Sequence, residues 1–210
     1  KYNLWTIGCQ MNEADSRHLA SSLESFGYES ASSAAESDLI VLNTCVVRAS
    51  AEEKVAGKLQ YLRGLKKHRP DIKIVLMGCF VGRGRNQDRL REQFPFVDIF
   101  MPPSDISPLA EHLNEFAIDR TEKLESASGL EDMAAFYSLP ANAENSVSAN
   151  VPAVLGCSHA CTYCIIPYRR GREHSRPRDT VLREARHLSD QGVKEIVLLG
   201  QIIDRYGTDF

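Results

Sequence analysis

Cys157, Cys161 and Cys164 stand together in the stretch GCSHACTYC, with three and then two residues between them. Three thiolates on one short loop can hold three irons of a cubane 4Fe–4S cluster and leave the fourth iron without a protein ligand, open to a substrate or cofactor. The competing chemistry is structural zinc, for which His159 or His174 would supply the fourth ligand. The chain has six cysteines in all, and the other three, Cys9, Cys45 and Cys79, lie far upstream.

The upstream cysteines share a position in the predicted elements. KYNLWTIG, SDLIVLNTC and IKIVLMGC read as buried-type strands. They are followed by the helical stretches NEADSRHLASSLESFG, AEEKVAGKLQYLRGLKKHR (stopped by Pro70) and NQDRLREQF. VDIFMPPS and DISPLAEHLNEF make a further strand and helix. Alternation of this kind predicts an α/β domain over residues 1–118: a doubly wound, Rossmann or flavodoxin-like parallel sheet with helices on both faces. Cys9, Cys45 and Cys79 then each fall at the carboxyl end of a strand, the edge where such folds place their sites. A lone cysteine there is an ordinary small core residue. Three at equivalent places can converge on a metal cluster if their strands are neighbours.

Residues 119–148, rich in Glu, Ser, Ala and Asn, read as a linker with a short helix near Met133. From 149 to 210 the pattern is a strand, VSANVPAVLG, the cysteine loop, a helix from about Thr180 to Gln191, and the strand KEIVLLGQ, which is the opening of a parallel (β/α) barrel. Between Tyr168 and Arg186 seven arginines stand among three acids, a basic patch beside the cysteine loop. Arginine suits phosphate and stacks on bases, so the patch is a candidate RNA contact as well as a solvated charged loop. Asp15, Glu52 and Glu53 read as helix caps or surface acids, and the histidines form no metal-binding repeat.

Composition limits the function classes. With 210 residues, 43% hydrophobic, 25% charged and a net charge of −3, the chain can bury a core and is not built to coat nucleic acid wholesale. Its longest apolar runs, such as IVLMGCFV, are too short for a bilayer, and the first residues lack the regions of a signal peptide. A cytoplasmic location is expected. In that reducing compartment six cysteines point to metal binding or catalysis rather than to disulfides.

CSHACTYC also resembles the CxxxCxxC signature of radical S-adenosylmethionine enzymes, with Tyr163 at the aromatic position before the last cysteine. TIGCQMNEADS, NTCVVRASAEEK and GCSHACTYCIIPYRRGREHSRP together resemble the methylthiotransferase family. GCQMN and CTYCIIPYRRGRE are most similar to its bacterial tRNA branch, which acts on isopentenyladenosine next to the anticodon; other branches act on threonylcarbamoyladenosine or a ribosomal protein.

The resemblance implies a radical SAM partial (β/α) barrel for the second domain. It assigns Cys157, Cys161 and Cys164 to the radical 4Fe–4S cluster that binds S-adenosylmethionine, and Cys9, Cys45 and Cys79 to an auxiliary 4Fe–4S cluster. Tyr163, Gly200 and Gln201 fall at cofactor-binding positions, and Arg169, Arg170 and Arg172 are the candidates for RNA. The implied partners are the tRNA anticodon stem-loop and an electron donor such as flavodoxin or ferredoxin; no membrane is involved and a monomer is expected. The chain departs from the family at GCFVGRG, where a small residue and Gln usually follow the cysteine, and at GQIIDRYG, where Ile202 and Asp204 replace the usual polar pair. It lacks the rest of the barrel and the C-terminal RNA-binding domain, as a fragment would.

Overall fold

A computed structural model describes residues 1–46, 49–84, 86–116 and 146–210. The first unit has strands β1 (Tyr2–Ile7), β2 (Leu39–Thr44), β3 (Lys73–Gly78) and β4 (Ile99–Met101), and helices α1 (Gln10–Ser25), α2 (Ala49–His68), α3 (Asn86–Gln93) and α4 (Ser107–Phe116). All strand pairs are parallel, in the order β1-β2-β3-β4.

Every residue of β2 is buried, as the near-continuous apolar run predicts for a central parallel strand. Its side chains alternate between faces with period two. Leu39 and Val41 join Val75 and Met77 of β3 against Met11, Leu19 and Leu23 of α1 and Leu109 of α4. Ile40 and Leu42 join Ile74 and Leu76 against Val55, Leu59 and Leu62 of α2 and Leu90 of α3. Helices therefore cover both faces, as expected for a doubly wound sheet. Gly27, in the left-handed region at φ 83°, ends α1, and the Tyr28 N–H closes back on the Leu23 carbonyl.

The chain after α1 makes one contact that decides the topology. Ser30 bridges to Tyr2 in parallel fashion, with the Tyr2 N–H donating to Glu29 O and the Ala31 N–H donating to Tyr2 O. The Leu39 N–H instead donates to Lys1 O, so β2 lies on the opposite side of β1. A vestigial strand thus flanks β1 on one side and β2 on the other, the flavodoxin-like order with its switch point between β1 and β2. This arrangement lets α1 and α2 lie on opposite faces while both crossovers keep the right-handed sense.

The second unit runs β5 (Ser148–Pro152), β6 (Val154–Leu155), α5 (Ile166–Arg170), β7 (His174–Ser175), α6 (Arg178–Asp190) and β8 (Glu195–Leu199). The single predicted strand VSANVPAVLG is corrected here: it divides at Ala153. β5 pairs in parallel with β8, whereas β6 pairs antiparallel with β7. Ala153 serves both sheets, donating to Leu199 O and accepting from the Arg176 N–H. β5–α6–β8 is the expected βαβ unit. Leu155 and Leu199 pack into the same core cluster as α1 and α4, which joins the two units. Most of the predicted linker and the helix near Met133 lie outside the described residues. Among the described residues, no helix is long and apolar enough to cross a membrane.

Candidate metal centre and its neighbourhood

Strand register brings the upstream cysteines to one edge. Ile7 pairs with Thr44 and Thr44 with Gly78, so the next positions, Gly8, Cys45 and Cys79, continue as neighbours and Cys9 stands one residue further on. The approach is close enough that a Cβ on Gly8 would lie 3.0 Å from the Cys45 Cβ. Gly78 turns the chain at φ 101°, where a side chain would meet the Thr44 carbonyl oxygen at 2.4 Å. Cys9 caps α1 in an extended conformation and is exposed; Cys45 and Cys79 are buried.

Beneath these thiols lies a buried polar network that the sequence reading missed. Asn12 donates to Asn43 Oδ1 at 2.9 Å, Asn43 returns a bond to Asn12 O at 2.8 Å, and Cys9 Sγ donates to Asn12 Oδ1 at 3.3 Å. Asp15, read as a cap or surface acid, is fully buried. It accepts from Ser104 Oγ at 2.9 Å, and Ser104, just beyond β4, holds a left-handed φ of 59°. The available signal was the run of polar residues Asn12, Asp15 and Ser16 on the face of α1 that also carries Met11 and Leu19.

Asp15 has a second partner from the other unit. Arg170, the last residue of α5, points inward rather than to solvent, which corrects its assignment to an RNA-contacting surface. Its Nη1 lies 3.2 Å from Asp15 Oδ2, its Nη2 donates to Asn12 Oδ1 at 3.4 Å, and its Nε donates to Cys79 Sγ at 3.1 Å. Burial pushes the Cys79 thiol up to about 11, with Asp15 and Cys45 adding to the effect and Arg170 opposing it.

The CxxxCxxC loop is pinned at its base. The Cys157 N–H donates to Gly171 O at 3.0 Å, and the Glu173 N–H donates to Ser158 Oγ at 3.0 Å. Only glycine fits at Gly156, where φ is 67° and a Cβ would lie 2.1 Å from Arg172 O. Cys157 is buried at the loop's start, Cys161 is exposed and Cys164 half-buried. Tyr163 is 91% exposed. Gly200 and the half-buried Gln201 follow β8, on the edge where β6 delivers Cys157; a Cβ on Gly200 would lie 3.0 Å from Val154 Cβ.

Of the arginines, Arg172 is exposed and Arg169 half-buried, its Cδ 2.7 Å from where a Gly82 Cβ would stand. Arg176 is buried and paired with Glu184 at 2.7 Å, so the basic patch is smaller than its composition suggests. His159 is exposed, and His174 Nδ1 is held 3.2 Å from Asp209 Oδ2. Among the described residues, no three metal-ligating side chains already stand close enough together to hold a metal ion. The donor sets nevertheless suit iron–sulfur ligation: three thiols at one sheet edge, and three on a loop closed at its base.

Residues 1–102 match a family described as "Uncharacterized protein family UPF0004", and residues 151–205 match the "Radical SAM superfamily". The match to the radical SAM superfamily implies a 4Fe–4S cluster and S-adenosylmethionine at the matched segment, whose cysteine loop carries Cys157, Cys161 and Cys164. Both segments recur together in curated relatives. The chain is 44% identical to a protein of Herpetosiphon aurantiacus named tRNA-2-methylthio-N(6)-dimethylallyladenosine synthase, over 100% of this chain and 45% of that protein. Proteins of the same name from a Roseiflexus species and from Chloroflexus aurantiacus are each 42% identical over 100% of this chain, covering 41% and 42% of their own lengths. The chain thus spans less than half the length of these relatives.

Proposed function

We propose that this chain is part of a tRNA methylthiotransferase that places a methylthio group on C2 of N6-isopentenyladenosine beside the anticodon. The observation that carries the reading is the 3.1 Å contact from Arg170 Nε to Cys79 Sγ. It brings the end of α5, six residues after Cys164, against the edge bearing the other three thiols, which supports one shared site for the two cysteine sets. The names of the relatives support the substrate.

In this reading Cys157, Cys161 and Cys164 hold the radical cluster, and Cys9, Cys45 and Cys79 hold an auxiliary 4Fe–4S cluster. With S-adenosylmethionine bound, the radical site supplies one-electron chemistry that can activate an aromatic C–H bond lacking an acidic proton. The chain's own task is positioning and exclusion of water. Gly200 lets the β8 edge approach β6 closely, and Gln201 and Tyr163 are the residues assigned to the cofactor. Arg172 and Arg169 face the RNA backbone, with fork-shaped donors suited to phosphate. A flavodoxin or ferredoxin supplies electrons to a monomeric cytoplasmic enzyme.

Anaerobic purification of the full-length protein tests this. Brown protein with about eight irons per chain, the content of two cubane clusters, is expected. Cys79→Ala should lose about half that iron and all methylthiolated tRNA, yet still cleave S-adenosylmethionine to methionine and deoxyadenosine. Cys161→Ala should lose both activities. Colourless protein with stoichiometric zinc would overturn the reading.

A further inference from the structure

Arg170 is chemically out of place. It belongs to the radical SAM segment, six residues after Cys164, yet its guanidinium is buried inside the UPF0004 segment. Burying an arginine is costly unless its charge is paired and its donors are used. Here Asp15 Oδ2 takes one arm at 3.2 Å. Nη2 donates to Asn12 Oδ1 at 3.4 Å, and Nε is aimed at Cys79 Sγ. Asp15 is fixed in turn by Ser104, just beyond β4. The donor is therefore oriented by three separate strand ends and helices rather than by its own loop, and a packing role would not require an N–H aimed at sulfur.

Hydrogen bonds and positive charge at a ligating sulfur favour the more reduced, more negative state of an iron–sulfur centre. We propose that Arg170 is a positioning residue of the auxiliary centre, donating across the segment boundary to the Cys79 sulfur and raising that centre's reduction potential, with Asp15 limiting the effect. The proposal rests on Cys79 being an iron ligand, as proposed above. Asp15 and Arg170 should act with opposite signs: without the arginine the sulfur loses its donor, and without the carboxylate the guanidinium charge goes uncompensated.

The test uses full-length protein in which Cys157, Cys161 and Cys164 are all replaced by Ala, so that iron resides only at Cys9, Cys45 and Cys79. The reduction potential is read by redox titration monitored by electron paramagnetic resonance, at matched iron content. Arg170→Met should shift the potential to more negative values and Asp15→Asn to more positive ones. Unchanged potentials, or shifts of the same sign, overturn the proposal. Should Arg170→Met fail to load iron, Arg170→Gln, which keeps a donor of similar reach but no charge, must also shift the potential negative; no shift there overturns it equally. Absence of any iron in the parent triple variant would instead overturn the auxiliary-centre reading, and this proposal with it.

Discussion

His18 and Glu184 stand 166 positions apart in sequence, yet their side chains meet at 2.8 Å in a fully buried contact between α1 and α6. The His18 Nε2–H donates to one carboxylate oxygen, and Arg176 pairs with the other at 2.7 Å. Nearby, Arg17 Nη2 donates to Asn150 O of β5 at 2.8 Å. Removing one member of such a group leaves a buried charge without its partner, which costs about 3–5 kcal/mol. Glu184→Gln should therefore lower the unfolding free energy in urea by about that amount, and His18→Gln by about 1–3 kcal/mol. A loss below about 0.5 kcal/mol in both variants, the size typical of neutral surface changes, would mean that the two units are not clamped here.

Acid should act through the same carboxylate. Burial alone would raise Glu184, but the hydrogen bond and charge of His18 together with Arg176 outweigh it and hold the group below its ordinary 4.5. A folded-state value below the unfolded one stabilises the fold at pH above the unfolded value, and that contribution disappears as pH falls through the folded value. Melting temperature measured from neutral pH down into the acid range should fall more steeply for the wild type than for Glu184→Gln. Parallel curves would remove Glu184 from the acid response.

The contrast between Cys79 and Arg170 shows what was legible in the chain. The three strand-end cysteines could be placed because each closes an apolar run, and period-two burial leaves few ways to register such strands. Both faces of the sheet followed for the same reason. Arg170 and Asp15 could not be placed, because a lone charge on a loop or in a helix looks solvent-facing until its partner is known, and these two partners are 155 residues apart. The break at Ala153 was hidden similarly: VSANVPAVLG reads as one extended run, and only pairing with β8 on one side and β7 on the other divides it. The edge strand at Ser30 carries no apolar run and reduces to a single bridge.

Glycine at the sheet edge offers a test of the centre that spares the fold. Gly8 has an ordinary backbone conformation, but a Cβ there would stand 2.7 Å from Asn12 Oδ1 and 3.0 Å from Cys45 Cβ. Gly8→Ala should keep the helical circular dichroism while reducing the iron held by Cys9, Cys45 and Cys79. Gly78→Ala is a different case, since its φ of 101° and the 2.4 Å approach to Thr44 O involve the backbone itself, and it should not accumulate as folded protein. Wild-type iron content in Gly8→Ala would show that the thiols tolerate displacement and are not a tightly placed set.

The arginines separate into two functions that one binding experiment can distinguish. Arg172 is exposed and Arg169 half-buried beside Gly82, whereas Arg170 has its donors directed to Asp15, Asn12 and Cys79. If the outer pair contacts the phosphates of the anticodon stem-loop, each contact releases counterions on binding, so log affinity falls linearly with log salt. Arg172→Ala should weaken tRNA binding and reduce the salt slope by about 1, and Arg169→Ala should act in the same direction. Cleavage of S-adenosylmethionine should hardly change in either variant. Arg170→Met should leave the salt slope unaltered, because a buried, paired guanidinium releases no counterion. A slope that drops with Arg170→Met but not with Arg172→Ala would mean that RNA reaches the interior arginine and that the exposed loop is only a solvated surface.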